Sequence, residues 1–123
     1  MKPFDIEISS ISKGPEELTY QLPISASVQK QIPAKNRSDY FIAELENSVF
    51  WVDKKKGINT EISHIIICTK KKSQFIEKDM KDVIIAIAYV LDESVNTDTT
   101  LDLNKIKYVA DGTASANKKW GLF

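Results

Sequence analysis

Alternation of apolar and polar residues is the most regular pattern in the chain. It is strictest over 18–28, which predicts a strand with one solvent-facing side. The apolar positions of this run are Leu18, Tyr20, Leu22, Ile24, Ala26 and Val28. Pro23 cannot donate a hydrogen bond to a neighbouring strand, so it predicts an edge strand or a bulge. A shorter alternating run over 4–8, followed by Lys13-Gly14-Pro15, predicts that the two strands form a hairpin.

Two further apolar segments flank a lysine-rich loop. The alternation at the start of 40–52 favours a strand with a turn or bulge at 46–48. Asp39 could instead cap a short helix that runs through Leu45. The second segment, 62–69, also predicts a strand. Its second half is apolar on both faces, which indicates a central position in the sheet.

The stretch 73–91 fits two structures. Apolar residues recur along it at helical spacing, and Ser73 could cap a helix. Its second half is rich in β-branched residues, which favour a strand. We therefore predict a short helix over 73–81 followed by a buried strand over 83–91, with one long helix as the alternative. A return strand is predicted over 101–109.

The predicted elements add up to an α+β fold. A chain of 123 residues has the length of one domain. We therefore predict a single small domain over 1–123, mainly an antiparallel sheet with one or two short helices. Asp111-Gly112 is expected to end the last strand, and a short C-terminal tail is expected from about 113.

Composition narrows the class of function. The chain is 42% hydrophobic and 28% charged, which is typical of a globular protein. Its 17 basic and 17 acidic residues give zero net charge, which disfavours nucleic acid as a partner. The sequence lacks both an apolar run of about 20 residues and the apolar core of a signal peptide. We therefore expect a cytoplasmic protein with no membrane association.

Residue types suited to metal binding or nucleophilic catalysis are scarce. His64 is the one histidine and Cys68 the one cysteine, so one chain cannot form a two-histidine or multi-cysteine metal site. These two residues would lie about 13 Å apart along a strand, so Cys68 is interpreted as a small core residue. Glu44 and Glu46 would share a strand face about 7 Å apart, as in a solvated strand or a glycosidase pair. We predict no catalytic residues, no metal and no cofactor, with a small carboxylate-based hydrolase as an alternative.

Charge is unevenly distributed along the chain. Lysine triplets at 54–56 and 70–72 adjoin apolar segments and are interpreted as solvated strand ends. The stretch 91–104 contains four acidic residues and no lysine or arginine. Such an acidic surface steers basic partners towards it. The predicted partner-binding residues are Asp92, Glu93, Asp98 and Asp102.

These patterns predict a non-enzymatic protein that binds and blocks a partner protein. Bacterial immunity proteins, which neutralise a cognate toxin, illustrate this role by analogy of size and charge. The expected partner is a basic, toxin-like protein. The alternative is a self-assembling structural subunit of a phage or secretion apparatus. In such a homo-oligomer, the strand around Pro23 and the terminal residues Trp120 and Phe123 would make the subunit contacts.

Overall fold

The chain folds into a closed antiparallel β-barrel of six strands. The computed structural model describes residues 3–32, 39–53, 58–69, 81–90 and 106–116. The elements are β1 (Phe4–Lys13), α1 (Glu16–Tyr20), β2 (Ile24–Ile32), β3 (Asp39–Asp53), β4 (Ile58–Thr69), β5 (Val83–Val90) and β6 (Ile106–Ala116). Each strand pairs with the next in the chain, and β6 pairs with β1 to close the barrel.

The predicted α+β class is wrong, because the described residues form an all-β barrel with one short helix. Alternation identifies which face of each strand is buried, but it does not show whether the first and last strands meet. Closure depends on strand number, tilt and register, which are properties of the whole sheet. The helix predicted over 73–81 lies outside the described residues except for Lys81, which is not helical.

Helix α1 replaces the first part of the strand predicted over 18–28. Leu18 and Leu22 are four residues apart, so the same apolar positions also fit one helical turn. Leu18 is buried and Leu22 packs against the core. Glu16 and Glu17 occupy the first turn, where carboxylates interact favourably with the helix dipole.

The predicted pairing of the first two strands is confirmed, but the predicted edge position of the second is wrong. β2 begins at Ile24, directly after Pro23, and it pairs with β1 on one side and β3 on the other. Proline therefore lies before the strand, where the lack of an N–H group costs no ladder hydrogen bond.

The predicted strand over 40–52 and its bulge are confirmed. The pairing of β3 with β4 shifts between Glu44 and Val49, where five steps along β3 match two steps along β4. The residues of the bulge from Glu46 to Ser48 are exposed, whereas Val49 and Trp51 again point into the barrel. The bulge thereby sets which side chains of the second half of β3 face outward.

The last strand runs further than its sequence predicts. β6 continues to Ala116, so Asp111-Gly112 does not end it. A Cβ atom at Gly112 would lie 2.5 Å from the backbone oxygen of Ser10 on β1. This distance is shorter than van der Waals contact, so any larger residue at position 112 would force β1 and β6 apart. The close approach of β1 therefore requires glycine here.

The barrel core consists of inward-facing aliphatic and aromatic side chains. Large residues from β4 and β5, such as Ile67 and Ile85, are combined with small ones from β6, such as Ala110 and Ala114. All four are at most 2% exposed. This mixture of large and small side chains fills the interior of a narrow barrel.

Candidate protein-binding surface

The predicted partner-binding carboxylates lie outside the residues that the structure describes. These are Asp92, Glu93, Asp98 and Asp102. The lysine triplets at 54–56 and 70–72 and the terminal aromatic residues Trp120 and Phe123 also lie outside them. The acidic site predicted from the sequence therefore stays a prediction.

Gln21 joins the end of α1 to the second half of β3. Its Nε2 donates a hydrogen bond of 2.7 Å to the carbonyl oxygen of Phe50, and the Phe50 N–H donates one of 3.0 Å to its Oε1. β2 pairs with β3 only as far as Leu45. At Phe50, the side-chain amide of Gln21 therefore takes the place of the backbone N–H and C=O groups of a neighbouring strand.

A third hydrogen bond holds Gln21 in place. Its Nε2 also donates to the carbonyl oxygen of Glu17, at 2.8 Å. The side chain thus bridges the helix and the strand with both of its polar atoms in use. This junction keeps Tyr20, the residue before it, next to the Phe50 segment.

Three large apolar side chains are exposed beside this junction. Tyr20 is 75% exposed, Phe50 51% and Val52 39%. Phe50 and Val52 face outward because Trp51, between them, points into the barrel. Single exposed apolar residues are common, but a group of them is typical of an interaction surface. We call Tyr20, Phe50 and Val52 the apolar patch.

Carboxylates adjoin the apolar patch. Glu61 lies directly opposite Phe50 in the pairing of β3 with β4. Glu16 accepts a hydrogen bond of 2.5 Å from the Tyr20 hydroxyl. Glu46 is exposed on the bulge of β3. These three glutamates are described charges of the patch surroundings, whereas Lys54, Lys55 and Lys56, which follow β3 directly in the sequence, lie outside the described residues.

The Tyr20 hydroxyl is kept in its neutral form. The hydrogen bond to Glu16 and the negative charge of that carboxylate raise the pKa of Tyr20 above its ordinary value of 10.0. A smaller contribution comes from the charge of Glu17. The ring therefore presents an uncharged apolar face with a carboxylate at its edge.

One cavity of the described residues lies between α1 and the strands. It is apolar, measures about 10 Å³ and is lined by residues that include Leu18, Trp51 and Ile87. Such a volume is close to that of one water-sized probe, whereas pockets for organic ligands measure about 300–1,000 Å³. Trp51 packs edge-to-face against Tyr89, with ring centroids 4.9 Å apart.

His64 and Cys68 both lie on the outer side of β4. His64 is exposed, and its Nδ1 is 3.1 Å from the Ser63 hydroxyl. Cys68 is half-buried and lies opposite Tyr40. The predicted core position of Cys68 is wrong, because Ile67 points inward and the next residue must point outward.

Glu44 and Glu46 lie on the same outer face of β3, because Leu45 between them points into the core and both glutamates are exposed. The shift in strand pairing begins directly after Glu44. The hydrolase alternative stays a prediction. Within the described ranges, histidine, cysteine and acidic side chains form no group of three that could hold a metal ion.

The apolar patch is a site that sequence reasoning missed. The alternation of Phe50, Trp51 and Val52 requires that either the tryptophan or its two neighbours face solvent. That signal was sufficient to predict an exposed apolar pair or an exposed tryptophan. The position of Tyr20 beside this pair depends on α1, which alternation alone assigned to a strand.

Comparisons with protein-family models, curated proteins and solved structures gave no match to this chain. We therefore argue its function from the geometry of the described residues. In those residues, no helix has the length and apolar character needed to cross a membrane.

Proposed function

We propose that the protein is a non-enzymatic binding module, located in the cytoplasm, that attaches to a partner protein and blocks it. The observation that supports this proposal is the apolar patch, in which Tyr20, Phe50 and Val52 are exposed together. Protein interfaces concentrate aromatic residues at their centre and polar residues at their rim. The patch with its adjoining carboxylates has this composition.

The rigidity of the patch also supports the proposal. The backbone of β3 at Phe50 pairs with β4 on one side and is hydrogen-bonded to Gln21 on the other. A surface that is already ordered in the free protein loses less conformational entropy when it binds. The exposed aromatic ring is thus carried by a backbone that needs no rearrangement to present it.

A second copy of the chain is the alternative occupant of the patch, as a self-assembling subunit would require. A symmetric dimer places the same surface on both sides of the contact. Such a contact makes the mass of the protein in solution rise with concentration.

Partner affinity of two serine variants tests the proposal. Phe50→Ser removes the central ring of the patch, and Tyr108→Ser is its matched control on β6, because the two rings are 51% and 53% exposed. A partner is captured from a native lysate, identified by mass and titrated against purified variants. We expect Phe50→Ser to weaken binding at least about tenfold, as loss of an interface anchor does, and Tyr108→Ser to leave it unchanged. Equal affinities for both variants would overturn the assignment.

Light scattering on the purified protein addresses the self-assembling alternative. A mass that stays monomeric across concentrations supports the proposal. A mass that rises with concentration in the wild type but not in Phe50→Ser favours self-assembly through the same patch.

The predicted acidic site remains a second contact within this proposal. Charge reversal at Asp98 and Asp102 is expected to weaken binding of the same partner, because carboxylates steer and pair with basic groups. An unchanged affinity would remove these residues from the binding surface and leave the apolar patch as its basis.

A further inference from the structure

We infer that the partner presents lysine or arginine side chains to the apolar patch, together with an apolar residue. This inference rests on the proposed function and specifies the chemistry of the partner. It is carried by two aromatic–carboxylate pairs, Phe50 with Glu61 and Tyr20 with Glu16.

The first pair is set by the register of the sheet. Phe50 and Glu61 lie directly opposite each other, and the Ser48 hydroxyl donates a hydrogen bond of 2.8 Å to Glu61 Oε1. Side chains in such positions have Cβ atoms about 4.5–5.5 Å apart. The carboxylate is thus held at the side of an exposed ring, with lone pairs left to accept further hydrogen bonds.

The second pair lies on α1. The hydroxyl of Tyr20 donates to Glu16 Oε1 at 2.5 Å, and the two residues are one helical turn apart. Tyr20 is 75% exposed, so most of its ring is free to be covered by a partner. Gln21, the residue after Tyr20, is hydrogen-bonded to the backbone of Phe50.

A ring beside a carboxylate matches the two parts of a long basic side chain. Lysine and arginine carry an aliphatic stem that packs on apolar surface and a charged head group. The stem, or the guanidinium plane of arginine, lies against the ring, while the head group donates to the carboxylate. One basic residue of the partner thus satisfies both members of a pair.

Three synthetic peptides of equal length provide the probe. Each alternates leucine with one polar residue, which is arginine, glutamine or glutamate. Fluorescence anisotropy with the full chain measures their affinities. We expect the arginine peptide to bind at least about tenfold more tightly than the glutamate peptide, with a difference that shrinks from about 50 to about 500 mM salt.

Two variants test whether the preference for the arginine peptide depends on the carboxylate of an aromatic–carboxylate pair. Glu61→Gln is expected to weaken binding of the arginine peptide about fivefold and to leave the glutamine peptide unchanged, since only the charge is removed. Glu7→Gln on β1, across the barrel from β4, is the matched control and is expected to change neither affinity. Circular dichroism verifies that both variants are folded.

The results that would overturn the basic partner differ from those that would overturn the proposed protein-binding function. If the glutamine peptide binds as tightly as the arginine peptide, or if Glu61→Gln has no effect, the basic partner is overturned and the protein-binding patch remains. If Phe50→Ser changes the affinity of none of the peptides, the patch itself is not a binding surface, which counts against the proposed function.

Discussion

Gln21 shows how one side chain connects α1 to the strand that carries Phe50. Its amide makes hydrogen bonds to both backbone groups of Phe50, beyond the point where β2 stops pairing with β3. It thereby protects a strand edge that would otherwise expose unpaired backbone groups, and it fixes α1 beside the patch. No local sequence pattern predicts such a contact, since it joins residues 29 positions apart.

Replacing Gln21 with glutamate is expected to destabilise the protein by about 1–2 kcal/mol. The substitution removes the donor to the Phe50 carbonyl and places a carboxylate next to it. Chemical denaturation measures the change in the free energy of unfolding. Gln29→Glu is the control, because the hydrogen bonds of the Gln29 side chain within the described residues go to Ser27 of its own strand. A loss for Gln21→Glu no greater than that of the control would contradict this role.

The buried hydroxyl of Thr69 leads to a second prediction about the stability of the protein. The Thr69 side chain is 1% exposed, and its hydroxyl has no hydrogen-bond partner in the described part of the chain. Valine has nearly the same shape without the hydroxyl, so Thr69→Val is expected to stabilise the protein by about 1 kcal/mol. Thr69→Ser keeps the hydroxyl and loses a methyl group, so it is expected to destabilise. Thermal unfolding measures both, and a loss of stability in Thr69→Val would show that the hydroxyl is satisfied.

Among the secondary-structure elements, strands were predicted correctly where β-branched residues or alternation favoured a strand over a helix. The β-branched run of β5 was predicted as a strand, and so was β3 with its bulge at 46–48. α1 was missed because Leu18 and Leu22 satisfy both a strand and a helical turn. The end of β6 was misplaced because Gly112, which normally suggests a turn, is needed for close packing.

Gly112→Ala tests that explanation of β6. The added Cβ would lie 2.5 Å from the Ser10 backbone oxygen, so β1 and β6 must move apart. We expect a loss of about 1–3 kcal/mol in the free energy of unfolding, as for other overpacked sites. Lys107→Ala, at an exposed position of the same strand, is the control and is expected to have little effect. If the two variants are equally stable in urea, close packing is not the reason for the glycine.

At the scale of the whole molecule, closure of the barrel was beyond sequence reasoning. Each strand can be recognised by its own pattern, but the contact between β1 and β6 joins residues near the two ends of the described chain. The zero net charge was likewise uninformative about partners, because it is the sum of lysine-rich and acidic regions of the chain. The described part of α1, β3 and β4 is acidic, whereas the acidic stretch predicted from sequence lies outside the described residues.

Site-specific photo-crosslinking tests whether the apolar patch binds another protein. A photo-reactive phenylalanine analogue replaces Phe50 in one variant and Tyr108 in the other, at sites of similar exposure on β3 and β6. We expect a covalent adduct with a distinct protein from position 50, absent from position 108 and reduced when Glu61 is changed to lysine. Equal adducts from both positions, or an adduct only with a second copy of the chain, would contradict this expectation.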